Sequence, residues 1–174
     1  MALELNFETE RSCCFTGHRI INAETQIKLR AVLPEIITDL ISQGYNYFFC
    51  GCALGFDLIC ADVVLELSKE YPVKLVAVIP CDNQSALWSD YNRLMYGRII
   101  KEVHYAIKTG DRASPENMRI RNRYMVDHSE LCVAFYERKK SGTAYTVNYA
   151  LRNKKRVINV YEMIENGYVQ EKLF

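Results

Sequence analysis

Proline and glycine are scarce, at 4 and 8 of 174 positions, which excludes a collagen-like or low-complexity chain. Neither sign of charge dominates: 22 Lys and Arg face 21 Asp and Glu, for a net charge of +1. That balance argues against a protein whose main task is non-specific binding to a nucleic-acid backbone, so nucleic acid is not the expected partner. Long apolar runs are missing as well. The longest uncharged stretch, residues 40–56, is interrupted by Ser42, Gln43, Gly44 and Asn46 and makes a poor membrane span. The opening MALELNFETE is acidic and lacks the basic and apolar regions of an export signal, so a cytoplasmic location without membrane association is expected. Histidine occurs three times, at His18, His104 and His128, with no ligand spacing, and no metal is expected.

Cysteine, by contrast, is plentiful, with seven residues. The number is odd, and nearly all sit in apolar runs. Cys50 and Cys52 are separated by one residue, which is neither a redox nor a zinc spacing. Inert, buried thiols in a reducing compartment are the expectation.

Short β-rich runs alternate with longer helical periods. Strands are predicted at 11–15, 45–50, 73–79, 104–108, 131–136 and 157–161. Helices are predicted at 23–42, 58–69, 84–101, 115–126 and 142–153. Asn22 caps the first helix and Gly44 stops it, while Pro34 predicts a kink or a late start. Ser114 and Pro115 form an N-cap with Pro at the first helical position. The run at 152–156 caps a helix C-terminus and faces solvent. Alternation of this kind reads as a three-layer α/β domain around a mostly parallel twisted sheet. In such sheets ligands bind beyond the carboxyl ends of the strands, where strand order reverses. The loops after the strands are therefore the ones to read.

Strand one is followed by Thr16-Gly17-His18-Arg19. Strand two is followed by Gly51-Cys52-Ala53-Leu54-Gly55-Phe56-Asp57, entering a helix. Strand five is followed by Ser141-Gly142-Thr143 at another helix start. Free amides and a helix dipole at a Gly-containing turn suit phosphate. Gly51 and Gly55 equally well serve a tight turn and close packing. Asp57 reads either as a dipole-stabilising residue or as an acceptor for a ribose or base edge. Arg119 and Asn122 share a helix face with phosphate-binding chemistry, while Arg121 points elsewhere. His18 is a general acid/base candidate or an ordinary loop histidine. Trp88, the sole tryptophan, stacks on a base or packs.

These pieces together resemble the SLOG superfamily, the Rossmann-like group that includes the DNA-processing protein DprA (Smf) and the LOG cytokinin-nucleotide hydrolases. The motifs are Thr16-Gly17-His18-Arg19, Gly51 through Asp57 with Ala61, Arg121-Asn122 with Met125, and Ser141-Gly142-Thr143-Ala144. Pro80-Cys81, Gln84, Trp88 and Tyr96 look like the YpsA-like branch. The resemblance implies a single Rossmann-like domain over 1–174 with its core at about 12–160. It further implies a nucleotide or ADP-ribose-like ligand, with phosphates on the Gly51–Gly55 and Gly142–Thr143 loops and Arg19 and Asn122 nearby. Thr146 stands where the LOG hydrolases carry a glutamate, and threonine cannot stabilise an oxocarbenium-like centre as a carboxylate does.

Three readings follow. The first is a nucleotide-ligand binding protein, acting as a sensor or regulator. The second is an N-glycosidase using Asp57 with Arg19 on the phosphate. The third is a DprA-like nucleic-acid binder using Arg112, Arg119, Arg121, Arg123, Arg138, Lys139 and Lys140. An interaction or scaffold role is the remaining alternative. The 12 tyrosines, among them Tyr91, Tyr96, Tyr145 and Tyr149, point to a homodimer or to scattered surface aromatics.

Overall fold

The computed structural model describes residues 5–167; residues 1–4 and 168–174, the ends of the expected domain and part of the acidic opening, lie outside the described residues. Six strands form one sheet: β1 (Ser12–Gly17), β2 (Tyr47–Cys50), β3 (Lys74–Ile79), β4 (Tyr105–Lys108), β5 (Leu131–Phe135) and β6 (Arg156–Asn159). Their order is β4-β3-β2-β1-β5-β6, and every pairing is parallel. The fold is Rossmann-like α/β. Central β3 and β5 are buried almost throughout, as strands covered on both faces must be, whereas the edge strand β4 alternates between half-buried and exposed.

The helices divide between the two faces. Helices α1 (Ala23–Ser42), α2 (Phe56–Leu67), α3 (Asp90–Glu102) and α6 (Val160–Glu165) cover one side with Phe15, Phe48, Leu75 and Val133. Helices α4 (Pro115–Asp127) and α5 (Gly142–Arg152) cover the other with Cys14, Phe49, Val76 and Cys132. Phe7, ahead of β1, fills the part of that second face over β2 and β4. Its ring meets Tyr47, Phe49 and Tyr105 edge-on at 5.1, 5.1 and 5.6 Å. All seven cysteines are free and buried. Burial raises the pKa values of Cys13, Cys50 and Cys60, which keeps these thiols protonated and unreactive.

Local signals explain the helix starts. Asn22, Ser114 and Ser141 each accept a hydrogen bond from the amide three residues on. Helix α1 spans Ala23–Ser42 with Pro34 inside it, so of the two alternatives for Pro34 the late start does not occur. Two expectations need correction. The helix expected from residue 84 begins only at Asp90, because Ser89 caps it and residues 82–87 form turns. The last strand ends at Asn159, because Asn159 turns the chain into α6. Its side chain accepts from the Tyr161 amide and bonds both backbone groups of Tyr136.

Among the described residues, no helix is long and apolar enough to cross a membrane. No group of three or more His, Cys, Asp or Glu among them is placed to hold a metal ion.

Candidate functional site

The chain builds β1 to β4 outward in one direction, then returns to place β5 on the other side of β1. At that switch point, on the carboxyl edge, lies a cavity of about 220 Å³. Thr16, Gly17, His18 and Arg19 reach it from the end of β1. Ala53 and Asp57 enter from the β2–α2 connection, and Ser141, Gly142 and Thr143 from the start of α5. Asn122 joins them from α4. Three separate loops thus converge on one concavity, and the α4 face completes it.

Not every expected residue is there. Gly51, Gly55, Arg119 and Trp88 lie outside the lining. Trp88 packs edge-on against Tyr96 at 5.3 Å, beside the core under α3, so it offers no face to the cavity. Arg119 faces a neighbouring groove instead. Phe15 lines the cavity without having been expected there, and so do Met118 and Arg121, the latter named in the family motif but expected to point elsewhere. The signal for the two α4 residues was present: Met118, Arg121 and Met125 recur at helical spacing and so share the inward face of α4.

The glycines turn out to do different jobs. A Cβ on Gly17 would strike the Phe56 side chain at 2.5 Å. One on Gly55, at φ +77°, would meet the carbonyl oxygens of His18 and Arg19 at 2.5 Å. The Phe56 amide bonds the His18 carbonyl at 3.1 Å, so these two glycines let the first two loops interlock. A Cβ on Gly51 would overlap the Arg121 guanidinium. Gly142 alone of the glycines in these loops has nothing within 4 Å of that position. Space for a close-approaching ligand is therefore at α5, whereas the space beside Gly51 and Gly55 is filled by the protein itself.

The amides tell the same story. At the start of α5 the Ala144 amide is taken by Ser141 Oγ at 3.1 Å. The Gly142 and Thr143 amides have no partner among the hydrogen bonds of the described residues, as first-turn amides without intrahelical acceptors. At the start of α2 the Asp57 and Leu58 amides likewise have no partner among the hydrogen bonds of the described residues, but the Phe56 amide is taken by the His18 carbonyl and Asp57 Oδ2, already in that turn, accepts from the Ala53 amide at 3.3 Å. The Asp57 carboxyl sits in the position an incoming anion would want.

Asp57 and Arg121 dominate the electrostatics. Asp57 is 5% exposed, and burial pushes its pKa up to about 6, although Arg121, the Ala53 amide and Arg19 all pull it down. Arg121 is 3% exposed. Its Nη1 donates to the Gly51 carbonyl at 2.7 Å and its Nε to Asn122 Oδ1 at 2.7 Å. Burial lowers its pKa and Asp57 raises it, and a guanidinium keeps its charge. Arg19 has no carboxylate partner among the described residues, and its Nη2 rests 3.9 Å from Met118 sulfur.

His18 is committed elsewhere. Its Nε2 accepts the Glu137 amide at 3.0 Å, and burial lowers its pKa. The ring is thus a neutral prop for the β5–α5 loop, with its basic nitrogen occupied. Gln84 plays a similar part for the second loop. Its Nε2 donates to the Gly51 and Cys52 carbonyls at 3.1 and 3.2 Å, across a turn where Cys52 holds φ +51°. Thr146 is buried and bonds the Gly142 carbonyl at 3.1 Å, so it does not stand in for a catalytic carboxylate.

A six-stranded parallel sheet with a concavity at its switch point defines a Rossmann-like α/β fold. The chain belongs to the YspA SLOG family, whose model matches residues 15–166. A relative is the uncharacterized SPbeta prophage-derived protein YoqJ of Bacillus subtilis (strain 168). It is 34% identical over 140 residues, which cover 72% of this chain and 82% of that protein. Two solved structures of DNA processing protein A share the fold. The one from Streptococcus pneumoniae has a TM-score of 0.61 at 15% identity, covering 85% of this chain, which spans only 49% of that one. The one from Helicobacter pylori, described with a single-stranded DNA binding mode, has a TM-score of 0.63 at 16% identity, covering 91% and 74%. A Moco carrier protein from Chlamydomonas shares it too, with a TM-score of 0.52 at 21% identity, covering 85% and 74%.

Proposed function

We propose that this protein binds a nucleotide or nucleotide-derived small molecule in the switch-point cavity and works as a ligand sensor or regulator in the cell interior. The observation that carries the reading is the free start of α5. Two unpartnered amides, a helix dipole and the empty Cβ position of Gly142 form a seat for one phosphate. Arg19, with no acid of its own, closes over that phosphate, and Asn122, held by Arg121, faces the adjoining sugar. Asp57, lining the same cavity, accepts from or donates to ribose hydroxyls. Similarity to ligand-carrying and DNA-binding proteins of the same fold agrees with an anionic guest without naming it. Thermal denaturation against a panel of nucleotides tests the reading. Ligand at 100 times Kd raises stability by about 2.7 kcal/mol. The rise should disappear in Arg19→Ala; a panel without any shift at millimolar concentration refutes the proposal.

A second reading rests on Asp57. A buried carboxyl with a pKa of about 6 beside a phosphate seat is suited to acid/base work on an N-glycosidic bond. It requires release of free base from a bound nucleotide and loss of that release in Asp57→Asn. Binding without base release leaves the first reading standing alone.

A further inference from the structure

The cavity at 220 Å³ is smaller than the ~300–1,000 Å³ of ordinary small-molecule sites, so a ligand seated in it must protrude. What it protrudes into is defined. A groove of about 940 Å³ runs between α4 and α5 and shares Arg19, Met118, Asn122, Ser141 and Gly142 with the cavity. Its cationic lining is Arg19, Arg119, Lys140 and Arg152, and no Asp or Glu lines it. Arg119 pairs with Glu116 at 3.9 Å; Lys140 and Arg152 have no carboxylate partner among the described residues.

Helix α5 presents Ser141, Tyr145, Asn148 and Arg152 to this groove at spacings of four, three and four, a single helical stripe. From Gly142 to Arg152 it extends about 15 Å. The Tyr145 ring stacks with Tyr149 at 6.4 Å between centroids and lies under the Arg119 guanidinium at 5.8 Å, from a side chain that is 55% exposed and held only by the solvent-facing Glu116 pair. A flat aromatic platform, an amide able to donate and accept, and cations at both ends form one track leading out of the phosphate seat.

Resting on the proposed phosphate seat, we infer that the ligand is a dinucleotide. A pyrophosphate joins two nucleosides, and the second base lies on Tyr145 while Lys140 neutralises the bridge and Arg152 donates to the hydroxyls of the outer ribose. A single-stranded nucleic acid would use the same chemistry, but the net charge of +1 supplies no extended basic field to hold a polymer.

Isothermal titration with each ribonucleoside 5′-monophosphate and its symmetric dinucleoside diphosphate tests this. The expected result is that one dinucleoside diphosphate binds at least about tenfold more tightly than its monophosphate. Lys140→Gln with Arg152→Gln should abolish that advantage and leave the monophosphate Kd and the melting temperature unchanged. Equal binding of both ligands, or an advantage that survives the double variant, overturns the dinucleotide while the phosphate seat stands. Binding of neither overturns both. Tight, length-dependent binding of single-stranded DNA oligonucleotides, steeply weakened by salt and lost in the double variant, overturns the dinucleotide in favour of a polymer.

Discussion

Replacing Asp57 by asparagine should stabilise the protein at neutral pH and leave it unchanged in acid. The carboxyl is buried at the start of α2, with its pKa raised from 3.8 to about 6. Between those values the native state holds a proton that the unfolded chain has already released, so stability falls as pH rises through that window. Above pH ~6.5 the full cost is present, about 3 kcal/mol as an upper figure. The pull of Arg121, the Ala53 amide and Arg19 is already contained in the raised value. The side-chain amide introduced by Asp57→Asn would keep the acceptor for the Ala53 amide and carry no charge, so the variant escapes the cost. The histidines work in the opposite direction. Burial lowers the pKa values of His18 and His104, whose ring nitrogens accept the Glu137 and Leu75 amides, so their contribution is lost as pH falls below about 6.5. The wild-type curve alone therefore mixes two slopes. The difference between Asp57→Asn and wild type, from urea denaturation at about pH 4.5, 5.5, 6.5 and 7.5, cancels the histidines. It should grow with pH to about 2–3 kcal/mol. Parallel curves over that range would refute the placement of a desolvated carboxyl at this cavity.

The remaining expectations concern neighbouring residues. Gly51→Ala forces a methyl into the Arg121 guanidinium and should cost about 3 kcal/mol, whereas Gly142→Ala should leave the melting temperature unchanged and weaken nucleotide binding. Equal effects of the two on stability would contradict the contrast drawn between these glycines. Gln84→Ala removes both bonds to the Gly51 and Cys52 carbonyls and should cost about 1–3 kcal/mol in chemical denaturation, although it touches no ligand. Phe7→Ala strips the cover from β2 and β4 and should cost about 3 kcal/mol; a change below about 1 kcal/mol would mean that the segment ahead of β1 is not docked.

Much of the architecture was legible because it is written locally. Apolar runs such as 131–135 can only be strands covered on both faces, and Asn22, Ser114 and Ser141 are caps that function as their type suggests. The errors arose where a side chain acts at a distance. Residues 84–88 have the composition of a helix, yet Gln84 is drawn to the Gly51 loop and Trp88 to Tyr96. Val160 is a strand former, yet Asn159 reaches across to Tyr136 and turns the chain. The candidate site was legible as a set of loops, since topology alone brings the ends of β1, β2 and β5 to one edge. The division of labour among the glycines was not. Whether the room beside a missing Cβ belongs to a guest or to a guanidinium from 70 residues away is decided by packing. Arg121 belongs to the Arg121-Asn122 motif, yet helical spacing turns it away from Arg119 and Asn122, and only its Gly51 carbonyl acceptor shows where it reaches.

That arginine leaves the layer of α4 and α5, passes over the rim of the sheet and fastens the turn from which α2 departs on the opposite side. The two halves of the sandwich are consequently buttoned together at the mouth of the cavity. The same guanidinium holds Asn122 Oδ1, so the proposed seat on α5 and the turn ahead of α2 are tied to one side chain. Removing that one guanidinium would therefore loosen both the cavity wall and the bond between the two helical layers.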